Sequence, residues 1–270
     1  MTQAIYSEAL GGRQARVHNA IATASARTGV DFSYLYQQAK IESGLNPTAQ
    51  ARTSSATGLY QFIDQSWLGV MKAHGAEHGL DWAANAITRG RDGRYHVADG
   101  ATRSAILQLR KDPEVAATMA AEHASDNKAI LQGKLGREVD STDLYMAHFL
   151  GVGGASRFLK GLDASPDASA AAVLPAAARA NRWVFYNKDG SARSFAEIRA
   201  RFAAKFGDEA TPAATPLPQV RMASLEAGDT ADALSALAGN AAATRAGPNL
   251  LQPSPQYARL AYLMLANLGA

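Results

Sequence analysis

One acidic residue of this chain lies at the end of an apolar helical stripe. Phe32, Leu35, Tyr36 and Ala39 follow the i, i+3, i+4, i+7 spacing of a buried helix face, and the same stripe continues to Glu42. A carboxyl group sheltered by apolar neighbours can hold a proton near neutral pH. Such a group can act as both general acid and general base, so Glu42 is the candidate catalytic residue.

A second group of residues, the segment His74-Gly75-Ala76-Glu77-His78, matches the H-x-x-E-H pattern of inverted zincins. In that pattern two histidines on one helical face bind zinc and the glutamate acts as a base, which suggests a metallopeptidase. Gly75 and Gly79 instead indicate the end of a helix, and no third ligand stands out downstream. We therefore expect neither a metal nor an organic cofactor.

Signals at both ends define the helix that carries the candidate acid. Asp31 is the predicted N-cap, and Val30 and Leu35 occupy the positions of a hydrophobic staple. Gly44 predicts the end of the helix. The expected helix spans residues 32–43 and places the acid in its last turn.

The rest of the sequence predicts a mainly α protein, because alanine, the strongest helix former, is abundant throughout. Asp112-Pro113-Glu114 is a strong start signal, and Asp64 is expected to cap the helix that carries Trp67. Further helices are expected at residues 66–74, 101–111, 113–132, 142–150 and 153–160, with Gly75, Gly133 and Gly151 as their stops.

The composition excludes several classes of protein. The absence of cysteine excludes a disulfide scaffold, a thiolate nucleophile and a cysteine-ligated metal. With 27 basic and 24 acidic residues the net charge is only +3, so nucleic acid is not an expected partner. No apolar run has the length of a membrane span, and residues 1–30 lack the apolar stretch of a secretory signal. We expect no membrane span and no recognisable signal peptide.

Composition also divides the chain into a helical domain, an appended element, a flexible linker and a terminal amphipathic helix. The appended element begins as an alanine-rich connector and continues as a hairpin and a helix packed on the domain. Asp189-Gly190 predicts its turn, and Ser194 and Glu197 predict a capping box. The linker has few large apolar residues. The four parts are residues 1–165, 166–206, 207–255 and 256–270.

The segment from Ile41 to Trp67 resembles the signature of lytic transglycosylases of the soluble-lytic-transglycosylase (SLT) type, in glycoside hydrolase family 23. That signature closes a helix with Glu-Ser and continues with Asn-Pro, a small-residue loop, Gly-Leu-Met/Tyr-Gln and Thr/Ser-Trp. The resemblance implies a goose-lysozyme-like (α+β) catalytic domain within the mainly α chain. The matching residues are Glu42, Ser43, Asn46, Pro47, Ala56, Gly58, Leu59, Tyr60, Gln61, Ser66 and Trp67.

Several of these positions are candidate substrate contacts by the same resemblance. Gln61 is at the family's sugar-contacting position, and Tyr60 replaces the family's methionine, where it packs on the sugar or in the core. Ser43 is expected to bond the loop or the carboxylate, or simply to end the helix. Ser54 is expected to orient an acetamido group or to cap a turn.

A later family motif, Ala-Tyr-Asn-x-Gly, has its best counterpart at residues 147–151, which read Ala-His-Phe-Leu-Gly. The family's tyrosine and asparagine are therefore absent from this register. His148 fills the tyrosine slot and Tyr145 lies two residues before the motif, so both are candidate substrate contacts. The alternative for His148 is a buried histidine that bonds a backbone carbonyl. Tyr145 is likewise either a substrate contact or a buried structural residue.

The resemblance implies cleavage of the β-1,4 bond between N-acetylmuramic acid and N-acetylglucosamine in peptidoglycan, with a 1,6-anhydro product and no water. An ordinary glycosidase needs two carboxylates. This motif supplies only Glu42, because no other acidic residue precedes Asp64 in it. The C6 hydroxyl of the muramic acid would take the place of water. The expected partner is the glycan strand, and the expected site of action is the periplasm or cell wall, with the export route open.

Two alternatives remain. A second carboxylate from a distant part of the chain would give hydrolysis of the lysozyme type. A non-catalytic domain would instead bind glycan or act as a scaffold in a wall-crossing machine. Residues 257–268 are a candidate contact for a secretion, flagellar or phage-tail partner, and the alternative is that this helix folds back onto the catalytic domain.

Overall fold

The computed structural model of the chain describes residues 2–52 and 54–207, with side chains for 11–52 and 54–204. These residues are mainly helical, as predicted. The helices are α1 (Thr2–Thr28), α2 (Phe32–Ser43), α3 (Asp64–His74), α4 (Asp81–Ala86), α5 (Gly100–Gln108), α6 (Pro113–Leu135), α7 (Ser141–Ala164), α8 (Ala170–Val173), α9 (Pro175–Ala180), α10 (Arg182–Phe185) and α11 (Phe195–Gly207).

Short elements connect these helices. Single 3₁₀ turns at Gly75–His78 and Leu109–Lys111 follow α3 and α5. Strands β1 (Ile87–Arg89) and β2 (Tyr95–Val97) form an antiparallel pair in which Ile87 lies opposite Val97. No helix in the described part of the chain is long and apolar enough to cross a membrane.

Helix α6 lies at the centre of the core. It contacts α1, α2, α3 and α7, and it buries a run of small side chains that includes Ala117, Ala120, Ala121 and Ala124. Because alanine side chains are short, neighbouring helices can approach α6 closely. This packing brings α2 and α7, which carry the candidate site residues, to the same part of the core.

Helix α2 has the predicted boundaries and the predicted caps. Asp31 accepts a hydrogen bond from the Tyr34 backbone N–H at 2.8 Å, and Val30 and Leu35 are both buried at the staple positions. Gly44 closes the helix in the left-handed region with φ of 60°, which glycine adopts without a steric penalty. Local signals therefore fix where the candidate acid stands.

The predicted cap at Asp64 is wrong. Asp64 is the first residue of α3, Ile63 occupies the cap position, and the Ser55 hydroxyl accepts the Asp64 backbone N–H. The Asp64 carboxylate instead pairs with Arg103 at 2.6 Å and with Arg110 at 3.0 Å. These two guanidinium groups come from distant positions in the chain, so the local pattern around Asp64 could not reveal them.

Two predicted helix ends also differ from the structure. Helix α6 continues past Gly133 to Leu135 and ends at Gly136. The predicted helices 142–150 and 153–160 are two halves of α7, which is interrupted at Gly151 with φ of 69° and ψ of 153°. Gly151 is therefore a break between helical segments, as expected, while Gly133 is an ordinary helix position.

The segment before α11 contains the predicted turn but not the predicted strand. The residues expected to form the first hairpin strand include the short helix α10, and a single antiparallel bridge joins Tyr186 to Ala192 around the turn. The capping box is confirmed, because the Ser194 backbone N–H donates to Glu197 Oε2 at 2.7 Å and the Glu197 N–H donates to Ser194 Oγ at 3.1 Å. Helix α11 then packs on α7, where its Phe202 lies against Phe149.

The predicted linker at 207–255 and the predicted terminal helix at 256–270 lie outside the described residues, apart from Gly207. Both stay predictions from the sequence.

Candidate active site

Glu42 lies in the last turn of α2 with its side chain 1% exposed. Tyr34 and Gln38 precede it at intervals of four residues, so the three side chains share one face of the helix. All three residues are buried. The apolar stripe therefore shelters the carboxyl group as predicted, and a polar row runs along the helix to it.

His148 of α7 is the direct partner of this carboxyl group. Its Nε2 lies 2.9 Å from Glu42 Oε1, and its Nδ1 lies 3.3 Å from Gln38 Nε2. Because an amide NH₂ only donates, Nδ1 accepts and the ring proton is on Nε2. In this arrangement His148 donates a hydrogen bond to Glu42 Oε1.

The second carboxyl oxygen is in a different situation. Glu42 Oε2 is buried and has no hydrogen-bond partner among the described residues. A buried polar atom of this kind normally needs a partner, and each unmet one costs about 1–3 kcal/mol. One oxygen of Glu42 is thus held in place, while the other is available to a proton, a water molecule or a ligand.

Three buried ionisable groups near Glu42, namely Tyr34, His123 and Tyr145, are uncharged near neutral pH. Burial raises the pKa of Tyr34 and Tyr145, and the Glu42 charge raises both further. Burial lowers the pKa of His123 to about 4, and the nearby His148 adds to this effect. These three side chains therefore give the carboxyl group neutral hydrogen-bonding neighbours.

A small cavity lies beside the His148 ring and contains unsatisfied polar atoms. Its volume is about 10 Å³, close to the space that one water molecule needs. Gln38 Oε1 and Tyr60 Oη are buried and lack hydrogen-bond partners within the described residues. The polar residues that line the cavity are Tyr34, Gln38, Tyr60, His123, Asn127 and His148.

A larger cavity of about 430 Å³ lies between α1 and the start of α6. It is lined by residues such as Arg16, Arg27 and Glu114, and it shares no lining residue with the small cavity. Size alone would favour it as a ligand site. The convergence of buried polar atoms favours the surroundings of Glu42 instead.

The loop between α2 and α3 is fixed by a close backbone contact. A Cβ atom at Gly58 would lie 1.9 Å from the Arg110 carbonyl oxygen, and Gly58 has φ of +86°. Only glycine fits both constraints. Arg110 itself is buried, and its guanidinium donates to the Ser55 and Phe62 carbonyl oxygens at 2.8 and 2.9 Å.

Three predicted substrate contacts hold this loop in place. Gln61 Nε2 donates to the Ala49 and Gly58 carbonyl oxygens at 3.2 and 2.9 Å. Ser43 Oγ lies 2.8 Å from the Leu59 carbonyl oxygen, which ties the end of α2 to the loop. Ser54 Oγ accepts the Ala56 N–H, as in a capped turn. Their sugar contacts stay predictions.

Two further candidates lie on the buried side of the site. Tyr60 is 1% exposed and borders the small cavity. Tyr145 is buried and stacks on His148 with the ring centroids 5.9 Å apart. The structure therefore brings Tyr145 and His148 to Glu42, whereas the sequence motif predicted a substrate contact or a backbone-carbonyl bond for His148.

Sequence reasoning also missed four polar residues of the site. Tyr34 and Gln38 are spaced four residues apart from each other and from Glu42, a signal that the sequence did contain. His123 and Asn127 are likewise four residues apart in the predicted helix 113–132. Their spacing shows a shared helix face, but not that the two faces meet.

A search with protein-family models finds no match to the chain.

Proposed function

We propose that the chain is a peptidoglycan lytic transglycosylase with a lysozyme-like catalytic domain, in which Glu42 is the single general acid and base. The observation that carries this proposal is the asymmetry of one buried carboxyl group. Oε1 is held by His148, while Oε2 has no partner among the described residues. A group that must first give and then take a proton needs a fixed orientation and one free oxygen.

In the proposed reaction Glu42 first donates a proton and then recovers one. Glu42 donates its proton to the glycosidic oxygen that joins muramic acid C1 to glucosamine C4, and the C1–O bond breaks. The C6 hydroxyl of the muramic acid then bonds to C1 and returns its proton to Glu42. The products are a 1,6-anhydromuramic acid end and a free 4-hydroxyl group, and no water is consumed.

His148 suits both protonation states of this acid. Its Nε2–H can donate to Oε1 whether Glu42 is a carboxylate or carries a proton on Oε2. The bond therefore persists while the proton moves. Asp64, the next acidic residue in the chain, is paired with Arg103 and Arg110, which supports a mechanism with one carboxylate.

Glycan binding must move side chains near Glu42. The adjacent cavity of about 10 Å³ is too small for a sugar ring. His148 has a side chain that is 19% exposed, while Glu42 itself is 1% exposed. His148 is therefore the group beside the acid that substrate would meet first. The substrate would place the site of action in the periplasm or cell wall.

Product analysis tests the reaction type. Purified cell-wall sacculi are digested with the full chain, and the released fragments are analysed by mass spectrometry. Anhydro ends are the expected product, and reducing ends would replace the proposal by lysozyme-type hydrolysis. If no fragments are released but the protein co-sediments with sacculi, the non-catalytic binding module is the correct class.

Replacing His148 with phenylalanine should lower kcat for glycan cleavage about 10- to 100-fold with little change in KM, because the acid loses the donor that orients it. Phenylalanine keeps a ring against Tyr145. His148→Gln should retain more activity than His148→Phe, since an amide can still donate to Oε1. Initial rates of sacculus digestion give both constants.

The matched control is His96→Phe, which changes an exposed histidine in the hairpin. It should leave kcat unchanged. An unaltered kcat in a folded His148→Phe protein would show that His148 does not position Glu42.

A further inference from the structure

Five ionisable side chains meet where the end of α3 packs against α6. His74, Glu77 and His78 belong to the end of α3 and the turn that follows it. Glu122 and Asp126 lie one helical turn apart on α6. The sequence analysis found no third ligand downstream of this H-x-x-E-H segment, and the fold supplies two acidic groups there.

Donor atoms of three of these residues lie close enough to share one ion. One ligand atom each from Glu77, His78 and Glu122 lies within 4.8 Å of the other two. His78 Nε2 is 2.8 Å from Glu122 Oε1. His74 Nδ1 lies 3.6 Å from Glu77 Oε2 and 3.7 Å from Glu122 Oε2.

One nitrogen of the His74 ring has no hydrogen bond to the described residues at the centre of this group. Its Nδ1 is buried and makes no hydrogen bond with any described residue, although two carboxylates face it. Its other nitrogen, Nε2, lies 2.9 Å from Asp126 Oδ2. An outer carboxylate bonded to one ring nitrogen leaves the other free to bind a metal, as is typical of zinc-bound histidines.

We propose that His74, Glu77, His78 and Glu122 bind one divalent transition-metal ion of the zinc type, with Asp126 orienting His74. Two imidazole nitrogens and two carboxylate oxygens are a common donor set for Zn²⁺ and a poor one for Ca²⁺ or Mg²⁺, which prefer oxygen ligands only. Glu77, His78 and Glu122 form the compact part of this site, and side-chain rotation must bring His74 Nδ1 towards them to complete four ligands.

The role of the ion is to join two elements, not to catalyse. Four protein ligands fill a tetrahedral zinc site and leave no open position for substrate. The inverted-zincin arrangement also requires one continuous helix, whereas α3 ends at His74 and a 3₁₀ turn carries Glu77 and His78. Because α6 also carries His123, the ion would anchor the helix that forms the floor of the Glu42 site.

The competing arrangement is an ion-pair network without metal. The hydrogen bond to Asp126 raises the pKa of His74 to about 9, so in the metal-free protein this ring is charged and attracts Glu77 and Glu122. Metal binding must displace that proton. The two arrangements therefore differ in a measurable way, which is stoichiometric zinc binding.

The test uses tag-free full chain that has been stripped with a chelator and dialysed. Titration with Zn²⁺ in a calorimeter should show one site per chain, and Zn²⁺ at a hundredfold excess over Kd should raise Tm by about 5–10 °C. Mg²⁺ at the same concentration should leave Tm unchanged. Glu122→Gln and His78→Gln should each weaken Zn²⁺ binding at least about tenfold.

His96→Gln is the matched control, because His96 also pairs with an aspartate but on the exposed hairpin. It should bind Zn²⁺ as the parent does. Circular dichroism of each stripped variant shows whether it is folded. Two ligand variants are used so that the test still decides if one of them fails to fold. Absence of a stoichiometric site, or equal binding by both ligand variants and the control, would establish the ion-pair network instead.

Discussion

Replacing Glu42 with glutamine should lower the rate of glycan cleavage by about 10²- to 10⁴-fold, the usual contribution of general acid–base catalysis. Glutamine has nearly the same size as glutamate, and its carbonyl oxygen can still accept the His148 Nε2–H. It cannot give or take the proton that the proposed reaction requires. The buried position should therefore stay filled while the chemistry stops.

The measurement is the initial rate of fragment release from purified sacculi, together with Tm for each protein. Glu114→Gln is the matched control, since Glu114 has a side chain that is 70% exposed and lies at the start of α6. It should keep the parent rate. If Glu42→Gln retained that rate as well, Glu42 would not be the acid, and the proposed function would lose its main support.

Replacing Arg110 with methionine should lower the free energy of unfolding by about 3 kcal/mol, because it removes one buried donor from several acceptors at once. The Arg110 guanidinium satisfies the Ser55 and Phe62 carbonyl oxygens and pairs with Asp64. Methionine fills the volume of the arginine stem but leaves these carbonyl groups without their donor. The loop that supports the end of α2 should loosen as a result.

Urea denaturation measures this change, and Arg103→Met provides the comparison. Arg103 pairs with the same carboxylate, but its side chain is 42% exposed, so its loss should cost less than about 1 kcal/mol. Equal losses for the two variants would show that burial of Arg110 is not what stabilises the loop. A loss of activity in Arg110→Met alone would connect the loop to the Glu42 site.

Local signals in the sequence predicted the elements more reliably than their partners. The cap at Asp31, the stop at Gly44 and the capping box at Ser194 each involve residues within four positions of one another, and all three are confirmed. The cap at Asp64 failed because Arg103 and Arg110, which lie far along the chain, compete for its carboxylate. Short-range patterns carry no information about such contacts.

The candidate site shows the same contrast between local signals and partners distant in the chain. The stripe that ends at Glu42 predicted a sheltered carboxyl group, and the side chain is indeed 1% exposed. The partner of that carboxyl group, His148, lies on a helix more than a hundred residues further along the chain, and its sequence motif predicted a different role. Whether Gln61 also contacts sugar stays a prediction, because both of its donor contacts are with the loop backbone.

The sequence by itself determined the helical character of this protein, the boundaries of α2 and the burial of Glu42, since these depend on the periodicity and end signals of one segment. Only the tertiary structure decided which residue faces that carboxyl group. It also decided which acidic residues lie beside His74 and His78. Both arrangements arise where helices distant in sequence pack together: α7 supplies His148, and α6 supplies Glu122. A helical period fixes which side chains share a face, but the meeting of two faces depends on how the whole core packs.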